Sequence, residues 1–197
     1  MPSSKIKIFF EYFSRIFHPI LNAGVAFLLL TIFSENNNWL KVEIYFTSLL
    51  FSVLLPYSYI MHLKEKGYIE SIELIERIKR INPLTFSIIC YYIGFLFLKL
   101  LDAPFQIQGL MFCYGTNVLL IVLITKWWKV SVHTTGMAGP LVALSFKFGD
   151  IIYPFYVLVI IMGTARVFLK RHTIMQVVVG AMIGILLTYI QFVYIFL

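Results

Sequence analysis

Read for apolar and polar positions, the chain is a succession of long hydrophobic runs broken by short polar knots. A helix needs roughly 20 mainly apolar residues, with about 17 as the floor, to cross a bilayer. Runs that meet or approach this cover about 17–34, 43–62, 84–101, 106–125, 134–148, 150–164 and 173–197. They predict an all-α fold, a polytopic transmembrane bundle of six to seven spans. The runs at 134–148 and 150–164 are short, and "KFGD" between them reads as a tight turn. Pro56 and Pro154 fall inside runs, where neighbouring helices can satisfy the carbonyls they free. Gly180 and Gly184, in "GAMIG", lie four apart on one helix face and allow close helix packing. No internal repeat or low-complexity linker divides the chain, so residues 1–197 are expected to form a single domain.

The N-terminal stretch "MPSSKIKIFFEYFSRIFHPI" mixes charge with aromatics and has no unbroken apolar core, so it is expected to remain in the mature protein. Residues 1–16 suit a helix lying in the membrane interface. The longest connection, "HLKEKGYIESIELIERIKRINP", alternates charge with Ile, Leu and Tyr at helical spacing. It predicts an amphipathic helix with Ile72, Ile75 and Ile78 toward the membrane. Glu73, Glu76, Arg77 and Arg80 then face water or a site.

Composition agrees with burial in lipid. The chain is 60% hydrophobic and 13% charged, where a soluble domain is about half apolar and a quarter charged. Cys90 and Cys113 stand inside apolar runs without metal-ligand spacing and are expected to be free thiols. The net charge of +7 reads as basic loops on one membrane face, and no nucleic-acid partner is expected. The N-terminus, the 62–83 loop, 126–133 and 165–172 together hold 13 of the 16 Lys and Arg residues. Lys41, Lys99 and Lys147 lie on the other side. Setting aside Arg77, Arg80, Lys129 and Arg166 as possible site residues leaves nine against three. Basic loops stay in the cytoplasm, so the polar knots are expected to face it.

Two of those knots carry candidate chemistry. "KVSVHTTG" at 129–136 and "ARVFLKRHTIMQ" at 165–176 each place a histidine at the start of a span, on the same side, among cations and hydroxyls. His18 and His62 read as interfacial residues. His172 and Gln176 are spaced i, i+4 and share a helix face, so Gln176 can accept from one ring nitrogen and leave the other free as a nucleophile. Arg166 offers a planar fork of donors suited to phosphate oxygens. His133 begins a helix, where backbone N–H groups and the dipole favour an anion.

These residues resemble signatures of the type 2 phosphatidic acid phosphatase superfamily. "ARVFLKRHTIMQ" is similar to its third signature, Ser-Arg-x5-His-x3-Asp, with Arg166 and His172 in place, Ala165 for Ser and Gln176 for Asp. "VSVH" resembles the second, Pro-Ser-Gly-His, through Ser131 and His133, with Val130 and Val132 departing from it. The first, Lys-x6-Arg-Pro, is poorly kept: Pro83 is present, Asn82 precedes it and Ile75 takes the Lys position. Arg77 and Arg80 are proposed there by proximity. The resemblance spans about 77–184. It implies a lipid phosphate phosphatase, hydrolysing a phosphomonoester or diphosphate through a phosphohistidine at one membrane interface. His172 would be the nucleophile and His133 the general acid. Arg166, Ser131, Arg77, Arg80 and Lys129 would bind the phosphate, with Gln176 supporting His172. No metal or cofactor is implied, and the expected partners are a phosphorylated lipid and the surrounding membrane. Gln176 can fix a tautomer as Asp would, but it cannot stabilise an imidazolium with charge.

Two alternatives use the same features. A lipid phosphotransferase would pass the phosphoryl group to an alcohol, and a non-catalytic membrane scaffold would use the knots for assembly. A prenyltransferase, by contrast, wants paired aspartate motifs, and Asp102 and Asp150 lie on the opposite side.

Overall fold

The computed structural model describes residues 4–197; residues 1–3 of the expected interfacial segment lie outside the described residues. Eight helical segments follow one another: α1 Ser4–Ile16, α2 Pro19–Ile32, α3 Asn38–Glu65, α4 Ile81–Leu100, α5 Phe105–Thr125, α6 Val132–Phe148, α7 Val157–Phe168 and α8 Ile174–Phe196. A 3₁₀ stretch, Gly149–Tyr156, joins α6 to α7. Among the described residues there is no strand, as the period of the apolar runs requires.

Five helices are long and apolar enough to cross a membrane, or six if the bent pair α1–α2 is one span. That count takes Val132–Phe168 as one 37-residue stretch. The stretch turns at "KFGD", where Gly149 has φ +66°, a value that favours a residue without Cβ. It folds back on itself, because His133 near one end and Arg166 near the other line the same cavity. α1 meets α2 at 50°. Pro19, which has no N–H to offer, opens α2, and His18 caps it, its Nδ1 accepting from the Ile20 N–H at 3.4 Å.

The tightest seam runs between α6 and α8. A Cβ on Gly180 would stand 2.4 Å from Thr134 Oγ1 and 2.6 Å from the Ser131 carbonyl, and one on Gly184 would stand 2.7 Å from Ala138 Cβ. The two glycines therefore let the backbones touch, as their spacing predicted. Close approach brings carbonyls within reach of the adjacent threonines. Thr135 Oγ1 donates to the Gly180 carbonyl at 2.7 Å and Thr134 Oγ1 to that of Val177 at 3.1 Å. Such interhelical bonds in lipid are worth about 0.6 kcal/mol on average. Deeper in, Asn117 Nδ2 donates to Thr188 Oγ1 at 2.8 Å and ties α5 to α8.

The 62–83 connection departs from expectation. Beyond Glu65 it is a chain of turns, with no helix until Ile81. Gly67 and Leu74 hold φ of +74° and +50°, which interrupts any helical run; for Leu74 this costs roughly 1–2 kcal/mol. Ile72 and Ile75 turn inward to line the cavity, while Ile78 stays exposed. Helical spacing was present, but tertiary contacts of Glu73, Arg77 and Arg80 replaced the regular backbone.

Candidate active site

Helix ends and turns from across the chain converge on one cavity. Its polar end is lined by His18, Glu73, Arg80, Lys129, His133, Arg166 and His172. The two sequence knots are joined directly, because the Ser131 N–H donates to the Gln176 carbonyl at 3.1 Å.

The turn after α7 sets the third knot. Lys170 adopts φ +55°, which reverses the chain so that the N–H groups of Arg171 and His172 both reach the Arg166 carbonyl, at 3.0 and 3.2 Å. The spacing of six residues is thereby folded into proximity. Thr173 then caps α8 in a capping box with Gln176. Gln176 Oε1 accepts from the Thr173 N–H at 3.2 Å and lies 3.1 Å from His172 Nδ1. An oxygen already accepting from a backbone N–H can only accept from the ring, so the proton sits on Nδ1 and Nε2 carries the lone pair. Burial lowers the His172 pKa to about 3, helped by the charges of Lys129 and Arg166; the Gln176 bond pulls weakly the other way. At neutral pH the ring is an uncharged nucleophile.

Arg166 and Arg80 are each 2% exposed, a degree of burial that guanidinium groups rarely reach without partners. Arg166 Nη2 donates to Glu73 Oε2 at 3.1 Å, while its Nε and Nη1 have no partner. Arg80 donates from Nη1 to the Val130 carbonyl at 2.9 Å and from Nη2 to Thr125 Oγ1 at 2.7 Å, leaving Nε unpartnered. Burial brings the Arg80 pKa down to about 10, so the group stays charged at neutral pH. His133 is buried with Nε2 unpartnered. Four buried nitrogens on one cavity thus lack an acceptor, and buried polar groups are otherwise almost always paired. Lys129 Nζ donates to the Arg171 carbonyl at 3.0 Å; burial, then the charges of Arg80 and Arg166, lower its pKa.

Two expected phosphate ligands stand elsewhere. Arg77 donates from Nη1 to the carbonyls of Thr125 and Lys126, at 3.1 and 2.9 Å, at the C-terminus of α5, and is not on the cavity wall. A cation there is held by the negative end of the helix. Ser131 is fully buried as the cap of α6, its Oγ accepting from the Thr134 N–H at 3.4 Å. Thr134 and Thr135 are interhelical ties. The hydroxyls that made "KVSVHTTG" look like a donor cluster serve the fold.

Two residues were underread. His18 was assigned to the interface, yet its ring packs edge-on against His133 with centroids 5.2 Å apart. The dipeptide His18-Pro19 signalled a helix cap, not a site. Glu73 was placed only as facing water or a site, and it is the carboxylate that holds Arg166 and lies 3.9 Å from Arg171 Nε. Among the described residues no group of three or more His, Cys, Asp or Glu side chains stands close enough to hold a metal ion.

No curated protein and no solved structure matches the chain significantly. A family model does, over residues 85–197, which covers His133, Arg166, His172 and Gln176 and more than half of the chain. It is that of the PAP2 superfamily, the phosphatidic acid phosphatase group that the motifs resembled, and the chain belongs to it.

Proposed function

We propose that this protein is a lipid phosphate phosphatase that works through a phosphohistidine on His172 without a metal. Membership of the PAP2 superfamily supports phosphatase-type chemistry on phosphate esters. The observation that carries the finer reading is the set of unpartnered nitrogens: Arg80 Nε, Arg166 Nε and Nη1, and His133 Nε2 face a cavity that also holds a neutral His172. An anion with several oxygens satisfies them together. His172 Nε2 attacks phosphorus, the bond from phosphorus to the lipid oxygen breaks, and His133 gives that oxygen a proton. Arg80, Arg166 and Lys129 take up charge on the equatorial oxygens, the main demand of phosphoryl transfer. Water then attacks phosphorus, its proton passes to His133, and the P–N bond breaks to release orthophosphate. The span-forming helices around the cavity support a lipid substrate.

Purified protein in detergent should release phosphate from a lipid phosphate in the presence of EDTA. His172→Ala should abolish that release, a loss on the order of 10³-fold or more. Activity restored only by magnesium, or wild-type turnover by the variant, would sink the mechanism.

The site is proposed to face the cytoplasm, on the bias of 13 basic residues against three. With Cys90 and Cys113 replaced, a single cysteine at Asn37 should react with an impermeant thiol reagent on intact cells, and one at Lys66 should stay silent. The reverse pattern places the site outside.

A further inference from the structure

The cavity does not end at the histidines. It continues into the bundle along one face of α5, through Ile121, Val118, Asn117, Tyr114, Cys113 and Leu110. These positions recur at helical spacing for three turns. From Ile121 to Leu110 the helix rises about 16 Å, close to half of a hydrocarbon core about 30 Å thick. All six side chains are buried in the protein, so the space lies inside the bundle and not on its lipid-facing surface. On the facing wall Gly136 and Gly139 of α6 contribute no side chain. Asn117 and Thr188 satisfy each other, but the Tyr114 hydroxyl, buried on this wall, has no partner. A well-packed core leaves neither a channel of this length nor an orphan hydroxyl.

We infer that this internal channel holds the hydrocarbon chain of the substrate, and that the substrate is a single-chain lipid phosphate. The inference rests on the phosphatase reading for the headgroup. The channel opens from the phosphate site, is one leaflet deep, and is narrow. A lipid with its phosphate at His172 therefore has a path for one chain inside the protein and none for a second. Chain burial in water-filled space would be strongly favourable, whereas a chain taken from a bilayer leaves one apolar medium for another. The channel thus acts mainly as a ruler: it selects a chain by shape and holds the phosphate in register.

Two measurements test this. For alkyl phosphates kept below micellar concentration, kcat/KM should rise from ethyl to decyl by about three- to fourfold per methylene. In Cys113→Phe the ratio of decyl to ethyl turnover should fall at least about tenfold, because the added ring narrows the channel. The second measurement needs no catalysis. In a Cys90→Ser protein, Cys113 should react with a small permeant thiol reagent. Hexadecyl phosphate should slow that reaction at least about fivefold, while inorganic phosphate and dihexadecyl phosphate leave it unchanged. No chain-length dependence, no labelling of Cys113 without ligand, or no shielding by hexadecyl phosphate overturns the channel. Equal shielding by the dihexadecyl lipid overturns the single-chain assignment. Shielding with no phosphate release from any ester, ethyl phosphate included, refutes the phosphatase reading and leaves the channel standing.

Discussion

Residues 4–84 and residues 85–197 contribute to the same cavity on different terms. The C-terminal part carries the family's motifs and supplies His133, Arg166 and His172. The N-terminal part lies outside the family match and supplies His18, Glu73 and Arg80. Reacting groups sit on helix starts and a hydrogen-bonded turn, where backbone geometry fixes them. The supporting charges come from an irregular loop and the cap of α2, where side-chain partners do the fixing. Motif content and site content are therefore separate properties here, and a match to the first does not bound the second.

The sharpest way to break this comparison is at Arg80. If the N-terminal part supplies phosphate contacts, Arg80→Met should lower kcat/KM by about 10²–10³-fold, the usual loss for one transition-state donor, and Arg166→Met should do the same. Near-normal turnover by Arg80→Met, measured on protein shown to be folded, would confine the chemistry to residues 85–197.

Glu73→Gln probes the contact that links the two parts. It leaves the buried Arg166 without its counter-charge, and with Glu73 partly exposed the expected destabilisation is about 1–3 kcal/mol. Phosphate or vanadate should recover more thermal stability in this variant than in wild type, since the anion replaces the lost charge. Equal ligand-induced shifts in Tm would mean that the ion pair and the anion do not share Arg166.

A pH series tests the state of His172. Its folded pKa of about 3 lies below the ordinary 6.5, so the unfolded chain binds the proton more tightly. Stability from this group is fully present above pH 6.5 and declines as pH falls toward 3. His172→Gln should flatten that decline in denaturant midpoints; an unchanged slope would place the titration elsewhere.

The smallest effect is expected from Arg77→Ala. Its hydrogen bonds close the end of α5, so it should lose about 1 kcal/mol of stability and change turnover by less than about threefold.

Much of this was legible in the sequence because it depended on spacing. The helical runs, the Gly180–Gly184 contact and the pairing of His172 with Gln176 all follow from the pitch of a helix. What escaped depended on long-range partners. Arg77 and Arg80 are three residues apart in one loop, and only the position of Thr125 and Val130 decides that one caps a helix while the other enters the cavity. The amphipathic spacing of 69–80 likewise predicted a helix that positive φ values and buried charges removed.

The α6–α8 seam has a consequence for mutational tolerance. Ser131 and Gln176 belong to the two ends of that seam, so its spacing sets the distance between the loops that carry the two histidines. Gly180 and Gly184 admit no Cβ without moving backbone atoms of the opposite helix. The positions with least freedom to vary near this site thus include two that present nothing to a substrate. A survey that ranks residues by intolerance to replacement would score them beside the catalytic groups, and only their contacts would tell the two kinds apart.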